Sequence, residues 1–367
     1  MWGNIMTARQ IQIQTNNMAL PILILDGGLG TTLESPPYNI TFTSDTPLWS
    51  SHLLLSSPST LHQVHHDFLF AGADIILTAT YQTSFEGFTR TDPQYTRDHA
   101  VRYMRSAIPL ARGAFPSHDP RKIPRVALSL GPYGATMTPV AAEYSGEYPE
   151  EMDDENALRT WHGTRLGMFA EEEESWNGME YVAFETVRRA DEVRAIRGTV
   201  SDVLLSRKKT MKPWWICGVF PAQEVDEDDV RRWVRAAVGN DGKALPRPWG
   251  IGVNCSRIEN IGPIVCIMQD EVRKLIEKDQ FVDEWQTTSG RPWLVLYPDG
   301  TQGEEYDPTT KQWVKKGTAS RRPWEEMYWE TVSQLKPGEW EGVIMGGCCR
   351  TGPGQIAALR EKVINMK

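Results

Sequence analysis

Two adjacent cysteines, Cys348 and Cys349, stand in the run GVIMGGCCRTGPG, directly after an apolar stretch that reads as a buried strand. A third, Cys255, ends the similar run WGIGVNCSR. Three thiolates delivered from the ends of two strands make a soft-metal site with one ligand missing, and an open position on Zn2+ is where catalysis takes place. Such a zinc carries net negative charge and is a poor Lewis acid for hydrolysis. It suits another thiol, lowering that thiol's pKa below about 8.5 and holding it as a nucleophilic thiolate. The natural chemistry is alkyl transfer to a bound thiol. Two other readings stay open on spacing alone: cysteines packed at strand ends, and a disulfide within the adjacent Cys348–Cys349 pair.

Two carboxylates are placed to serve the same rim. Asp26 follows a strand in ILDGGLGTTLE, and Glu185 ends another in YVAFETV. In a thiol-binding pocket both suit a substrate ammonium group, each through a charge-assisted hydrogen bond. The alternatives are a turn or N-cap role for Asp26 and an ion pair with Arg188 or Arg189 for Glu185. The DGGLG glycines do not form a dinucleotide fingerprint. His62, His65 and His66 fall within one helical pattern without an acid partner and read as packing or surface residues. The acidic run Glu171 to Glu174 reads as a solvated helix end.

These residues need a frame that brings strand ends together. Apolar runs at 22–25, 73–78, 125–130, 181–185, 214–220, 249–254, 292–297 and 342–346 read as strands. They lack clean alternation, as expected of parallel strands covered on both faces. Helix-like stretches separate them, such as SPSTLHQVHHDFLFAG with its Ser/Thr start and Gly stop. Eight strand–helix pairs predict a closed (β/α)8 TIM barrel with extended loops, in which Cys255, Cys348 and Cys349 share one rim. The polar stretches 132–155 and 298–320 follow strands and so belong to that rim. Those near 201–213 and 240–248 precede strands and belong to the opposite face. Residues 1–20 read as an N-terminal extension and 21–367 as the barrel domain.

Composition narrows the setting. The net charge of -9, with no basic stripe, excludes a nucleic-acid partner. No apolar run is long enough to span a membrane, and the N-terminus has no leader pattern. Five cysteines are too few for a disulfide scaffold and fit a reducing compartment, so the expected location is cytoplasmic. The fourteen tryptophans read as packing. The expected assembly is a monomer or weak dimer.

At these residues the chain closely resembles the homocysteine S-methyltransferase family, zinc-dependent thiol methyltransferases on a (β/α)8 barrel. The matching pieces are LDGGLGTTLE at 25–34, ADIILTATYQTSFEGF at 73–88, SLGPYGA at 129–135, VAFET at 182–186, GVNCS at 252–256 and MGGCCRTGPGQIAAL at 345–359. They occur in family order over nearly the whole chain. The resemblance implies that Cys255, Cys348 and Cys349 are the zinc ligands. It implies further that Asp26 and Glu185 hold the amino group of homocysteine, that Thr80, Tyr81 and Gln82 lie near the substrate, and that Asn254 orients the site. The expected activity is methionine formation by methyl transfer to homocysteine.

Departures from the family pattern bear on the methyl donor. TMTPVAAEYSGEY follows GPYGA where the short enzymes carry a Gly-rich acidic stretch, and YPDGTQGEEYD replaces a common Pro-Asn-Ser-Gly-Glu run. No cobalamin or folate module accompanies the barrel, and the betaine branch generally carries a C-terminal extension. The resemblance therefore implies a sulfonium donor, S-methylmethionine or S-adenosylmethionine. The lean is toward the former, which a compact pocket without an adenine site could hold. Selenohomocysteine is an open second acceptor. The competing readings are a barrel protein with structural or redox cysteines and a zinc hydrolase, the latter disfavoured by the lack of a His/Asp ligand set.

Overall fold

The computed structural model describes residues 20–366, apart from 44–45, 117–124, 139–141, 241–244, 279, 282–284, 302, 308–311 and 316–321. The N-terminal extension, except Leu20, and much of the 298–320 stretch therefore lie outside the described residues. All eight expected strands form. They are β1 (Ile22–Ile24), β2 (Ile76–Leu77), β3 (Val126–Leu130), β4 (Tyr181–Phe184), β5 (Trp214–Gly218), β6 (Gly250–Asn254), β7 (Trp293–Tyr297) and, last in the chain, β10 (Val343–Met345). A separate antiparallel hairpin, β8 (Glu304–Asp307) with β9 (Gln312–Lys315), emerges from the connection after β7. The eight parallel strands run in the order β1-β10-β7-β6-β5-β4-β3-β2, with helices such as Pro58–Phe70, Glu155–Glu171 and Ala190–Arg207 between them.

The sheet does not close, which corrects the expected (β/α)8 TIM barrel. It is an open, strongly curled half-barrel whose edges stand 9 Å apart. Edge strands β1 and β2 approach at the isolated bridge Leu25–Ile75 instead of forming a ladder. Asp74 and Ile75 N–H donate to Ile24 O and Asp26 N–H to Ile75 O across the edges, while two further edge amides are taken by carboxylates. Ile24 N–H donates to the Asp74 carboxylate at 2.8 Å, and Leu77 N–H donates to Asp26 Oδ2 at 2.9 Å. An N–H satisfied by a carboxylate is not free to extend the pairing beyond that bridge. Asp74 is itself held by Arg360 at 2.5 Å.

Tryptophans pack both faces of the sheet. Neighbours along a strand point to opposite sides, so Trp214 joins the layer between sheet and helices while Trp215 points to the interior. There Trp215 packs with Tyr181, Trp249, Trp293 and Tyr297, and the Trp249 and Trp293 rings stack with centroids 4.7 Å apart. This interior plug leaves the space above the C-terminal strand ends as the cavity. No helix among the described residues is long and apolar enough to cross a membrane.

Candidate metal centre and acidic cavity

A cavity of about 1040 Å³ opens above the strand ends. It is lined by Asp26, Glu185, Tyr81, Gln82, Asn254 and all three of Cys255, Cys348 and Cys349. The cysteine ligand atoms lie within 4.8 Å of one another. Cys255 reaches this point through a left-handed backbone at φ 46°, directly after β6. Thr186 and Arg350, also on this rim, are left-handed at φ 60° and 61°. Such conformations cost about 1–3 kcal/mol for non-glycine residues and gather at functional sites. Cys348 is set by its N–H to Pro298 O at 2.9 Å. Gly28 and Gly347 are required by close approach, since a Cβ on Gly28 would collide with Cys348 O and one on Gly347 with Thr351 Oγ1.

Cys255 and Cys348 are joined as a disulfide, with Cα atoms 5.5 Å apart, and Cys349 is a free thiol. The disulfide thus spans two strands and is not the adjacent Cys348–Cys349 pair. Two-electron reduction yields three thiols in one cluster. Zinc–sulfur bonds of about 2.3 Å place tetrahedral sulfurs roughly 3.8 Å apart, within the span of this cluster. Burial pushes the Cys349 thiol up to about 12, with Asp299, Glu143 and Glu34 adding to the effect and Tyr144 opposing it. A thiol so placed keeps its proton at neutral pH until a cation arrives. The donor set therefore fits zinc, and the four-coordinate ion would keep one position for a substrate.

Asn254 supports this cluster. Its Oδ1 accepts from Thr186 N–H at 2.7 Å, and its Nδ2 donates to Thr186 Oγ1 at 2.7 Å and to Cys255 Sγ at 3.3 Å. Replacing Asn254 with alanine should weaken zinc binding by about 10- to 100-fold, as loss of a ligand-orienting partner typically does. Chelator competition on wild type and variant measures this; equal affinities would remove Asn254 from the metal site.

The two expected carboxylates are both buried. Asp26 is 2% exposed, and its Oδ1 has no hydrogen-bond partner. It does not cap the following helix, Leu29–Glu34, whose N-cap is Gly28. Burial raises its pKa well above the usual carboxylate range, the Leu77 N–H opposes this, and the nearby Glu185 adds to it. Glu185 accepts from the Ser129 hydroxyl. Its pKa is pushed up to about 7 by burial, against the lowering effect of the Ser129 and Tyr297 hydroxyls and the Arg165 cation. Arg188 and Arg189 pair elsewhere, with Asp229 and with Asp153 and Asp191 respectively.

The segment after β2 divides. Tyr81 and Gln82 face the cavity, whereas Thr80 is fully buried and does not line it. The Thr80 hydroxyl instead donates to Ser129 O at 2.6 Å. Gln82 Nε2 donates to Ala135 O at 3.0 Å, leaving its Oε1 unpartnered. His65 is buried without a partner for either ring nitrogen, and burial lowers it to about 3, in keeping with a packing role.

Sequence reasoning missed Arg165 and Glu143. Arg165, 2% exposed, donates to Gly131 O at 2.7 Å, Thr80 O at 2.7 Å and Tyr81 O at 2.6 Å. It ties together the segments after β2 and β3, and its charge bears on Glu185. The sequence signal was one arginine inside an otherwise apolar helix stretch, RLGMFA. Glu143 lines the cavity from the 132–155 segment, whose sequence marks only a polar rim connection.

Comparison with known proteins agrees with this geometry. The sequence profile described as homocysteine S-methyltransferase matches residues 23–363. Betaine-homocysteine S-methyltransferase of Drosophila melanogaster is 31% identical over 368 residues, covering 95% of this chain and 96% of that protein. Selenocysteine Se-methyltransferase of Brassica oleracea var. italica is 29% identical over 361 residues, covering 94% and 89%. The fold resembles the metallated form of the homocysteine methyltransferase MmuM from Escherichia coli, with TM-score 0.63 at 23% identity over 93% of this chain and 96% of that one. With three convergent cysteines above a curled parallel sheet and a profile match over almost its full length, the chain belongs to the homocysteine S-methyltransferase family, zinc-dependent enzymes that methylate the sulfur of homocysteine.

Proposed function

We propose that this enzyme takes its methyl group from a sulfonium compound, S-methylmethionine or S-adenosylmethionine, and transfers it to homocysteine to give methionine. The observation that carries the donor class is the charge of the cavity. Asp26, Glu34, Glu143 and Glu185 line it, and Arg90 is the one basic residue among its described lining. The two sulfonium donors each carry a net positive charge at neutral pH, glycine betaine is a neutral zwitterion, and methyltetrahydrofolate is an anion. An acidic, partly dehydrated cavity ranks them in that order. The expectation of a compact pocket does not help choose between the sulfonium donors, because about 1040 Å³ has room for an adenosyl group.

In this reading Cys255, Cys348 and Cys349 hold zinc, which supplies activation of the homocysteine thiol. Asp26 and Glu185 take the homocysteine ammonium, whose charge favours their ionised forms. Tyr81 and Gln82 shape the wall beside the acceptor, and Asn254 steadies Cys255. Thr80 acts behind that wall, through the hydroxyl that fixes it to β3. The tryptophan and tyrosine plug closes the floor, so that the donor must approach from the open rim. Transfer from a sulfonium to a thiolate cancels charge, so exclusion of water favours it, and alignment of the two sulfurs and the methyl carbon is the remaining task. The domain runs over residues 21–367, and the thiol chemistry suits a reducing, cytoplasmic setting.

The test presents zinc-loaded protein with homocysteine and each donor separately, and compares kcat/KM for methionine formation. Both sulfonium donors should exceed betaine and methyltetrahydrofolate. A preference for betaine or methyltetrahydrofolate over both would overturn the donor class.

A further inference from the structure

Glu143 is a buried acid with one unpaired oxygen in a cavity that Asp26, Glu34 and Glu185 also line. It is 8% exposed, it lines the cavity, and its Oε2 has no hydrogen-bond partner. Burial pushes this carboxyl up to about 7, against a hydrogen bond from its own backbone N–H, and a buried oxygen left unpaired is destabilising, so a cationic ligand that supplies the missing donor is favoured there.

The segment that carries Glu143 is built to keep it in place. Ala142 N–H donates to Gly134 O at 2.9 Å, and Gly146 N–H donates to Ala142 O at 2.8 Å. On either side of this turn the chain is tied to one fully buried residue, Glu192. Tyr133 N–H donates to Glu192 Oε1 at 2.8 Å, and the Tyr148 hydroxyl donates to Oε2 at 2.6 Å. His162 Nε2 lies 2.9 Å from Glu192 Oε1 and anchors that carboxylate to the helix Glu155–Glu171. Glu143 thus sits on a braced segment, not a free loop.

Its neighbours overlap only in part with those of Asp26 and Glu185, since Tyr81 feels both Glu143 and Glu185. Asp26 and Glu185 lie at strand ends and act on one another. Glu143 acts on Tyr81, Tyr144 and the Cys349 thiol. Besides the pair at the strand ends, the cavity is lined by Glu34 from the helix Leu29–Glu34 and by Glu143 from the 132–155 segment, both acting on the Cys349 thiol. Homocysteine has a single ammonium group, for which the strand-end pair suffices. A methyl donor that is also an amino acid brings a second ammonium group.

We propose that Glu143 holds the α-ammonium group of the methyl donor, so that the site selects amino-acid sulfonium donors over sulfonium ions in general. This inference rests on the sulfonium-donor reading and narrows it. S-methylmethionine and S-adenosylmethionine share the group recognised; dimethylsulfoniopropionate has the sulfonium and a carboxylate but no ammonium. The unpaired Oε2 accepts one charge-assisted hydrogen bond from the donor, and the place of Glu143 on the 132–155 segment, not at a strand end, keeps donor and acceptor ammonium groups apart.

The experiment compares zinc-loaded wild type with Glu143→Gln, which keeps the shape of the side chain and removes its charge. Steady-state rates are measured with S-methylmethionine, S-adenosylmethionine and dimethylsulfoniopropionate in turn, alongside zinc content and homocysteine Kd by calorimetry. The variant should raise KM for the amino-acid donor or donors that wild type uses by about 10- to 100-fold, the range for hydrogen bonds to charged groups. It should leave zinc content, homocysteine Kd and the rate with dimethylsulfoniopropionate unchanged. An unchanged donor KM, an equal loss with dimethylsulfoniopropionate, or a matching rise in homocysteine Kd would each overturn the assignment. Failure of wild type to use any sulfonium donor would overturn the donor class itself, and this assignment with it, before any variant is compared.

Discussion

Replacing Cys255, Cys348 or Cys349 with serine, one at a time, should weaken zinc binding by more than about 100-fold, beyond the loss caused by removing a group that only orients a ligand. Methionine formation should fall with the metal. The reason is the donor set: three thiols within 4.8 Å, each supplying charge that a hydroxyl at neutral pH cannot. Cys217→Ser and Cys266→Ser are the controls. Cys217 is buried in the sheet interior and Cys266 is exposed on the helix Ile258–Glu277, so neither should change zinc content. Elemental analysis after reduction and reconstitution gives the answer. Full zinc retention in any one of the three serine variants would remove that cysteine from the set. The fold should persist in all three, because the core of helices and sheet is packed independently of the cluster.

Glu185→Gln should weaken homocysteine binding by roughly 2–5 kcal/mol, the cost of breaking a buried charge-assisted contact, while zinc stays bound. Normal homocysteine affinity in this variant by calorimetry would defeat the assignment. The pH dependence has a definite sign. The Glu185 carboxyl titrates at about 7 because burial disfavours its charge. An ammonium ligand needs the ionised form, so affinity should rise as pH rises through about 7 and level off above it. A suitable probe is 2-aminobutyrate, which is homocysteine without its titrating thiol, with its inhibition constant against homocysteine measured from pH 6 to 8.5. The rise should be smaller in Glu185→Gln. Stability of the empty fold runs the opposite way. A carboxyl whose folded pKa lies above its unfolded value contributes stability at low pH that is lost as pH rises through the folded value. Ligand binding should therefore raise the melting temperature more at pH 8 than at pH 6.

Glu143 and Glu185 illustrate how much of the site could be seen before the fold. Glu185 is legible because it ends an apolar run, and the end of a parallel strand points a side chain at the rim. Glu143 belongs to a polar stretch in which Glu147, Glu150 and Glu151 look no different from it. What separates it is burial, and that arises from contacts of the turn with Gly134 and of its flanks with Glu192. Arg165 was hidden for a related reason. Its role is to satisfy three carbonyls contributed by two other segments, and no local pattern announces an acceptor that distant strands provide.

The amino-acid sequence by itself determined the local matters: eight apolar runs that become parallel strands, the helices between them, the cysteines at strand ends and the family motifs around them. Each is set by neighbours along the chain, through apolar patterning, glycine turns and the chemistry of thiol and carboxylate. Tertiary structure decided what depends on distant partners. At the open edge of the sheet, Asp74 and Asp26, far apart in the chain from the amides they meet, take N–H groups of β1 and β2. The disulfide joins Cys255 to Cys348 and not two adjacent residues, because the ends of β6 and β10, which flank β7 in the curled sheet, bring those two side chains together. Thr80 turns away from the cavity while Tyr81 and Gln82 face it, since its hydroxyl has a buried carbonyl on β3 to satisfy.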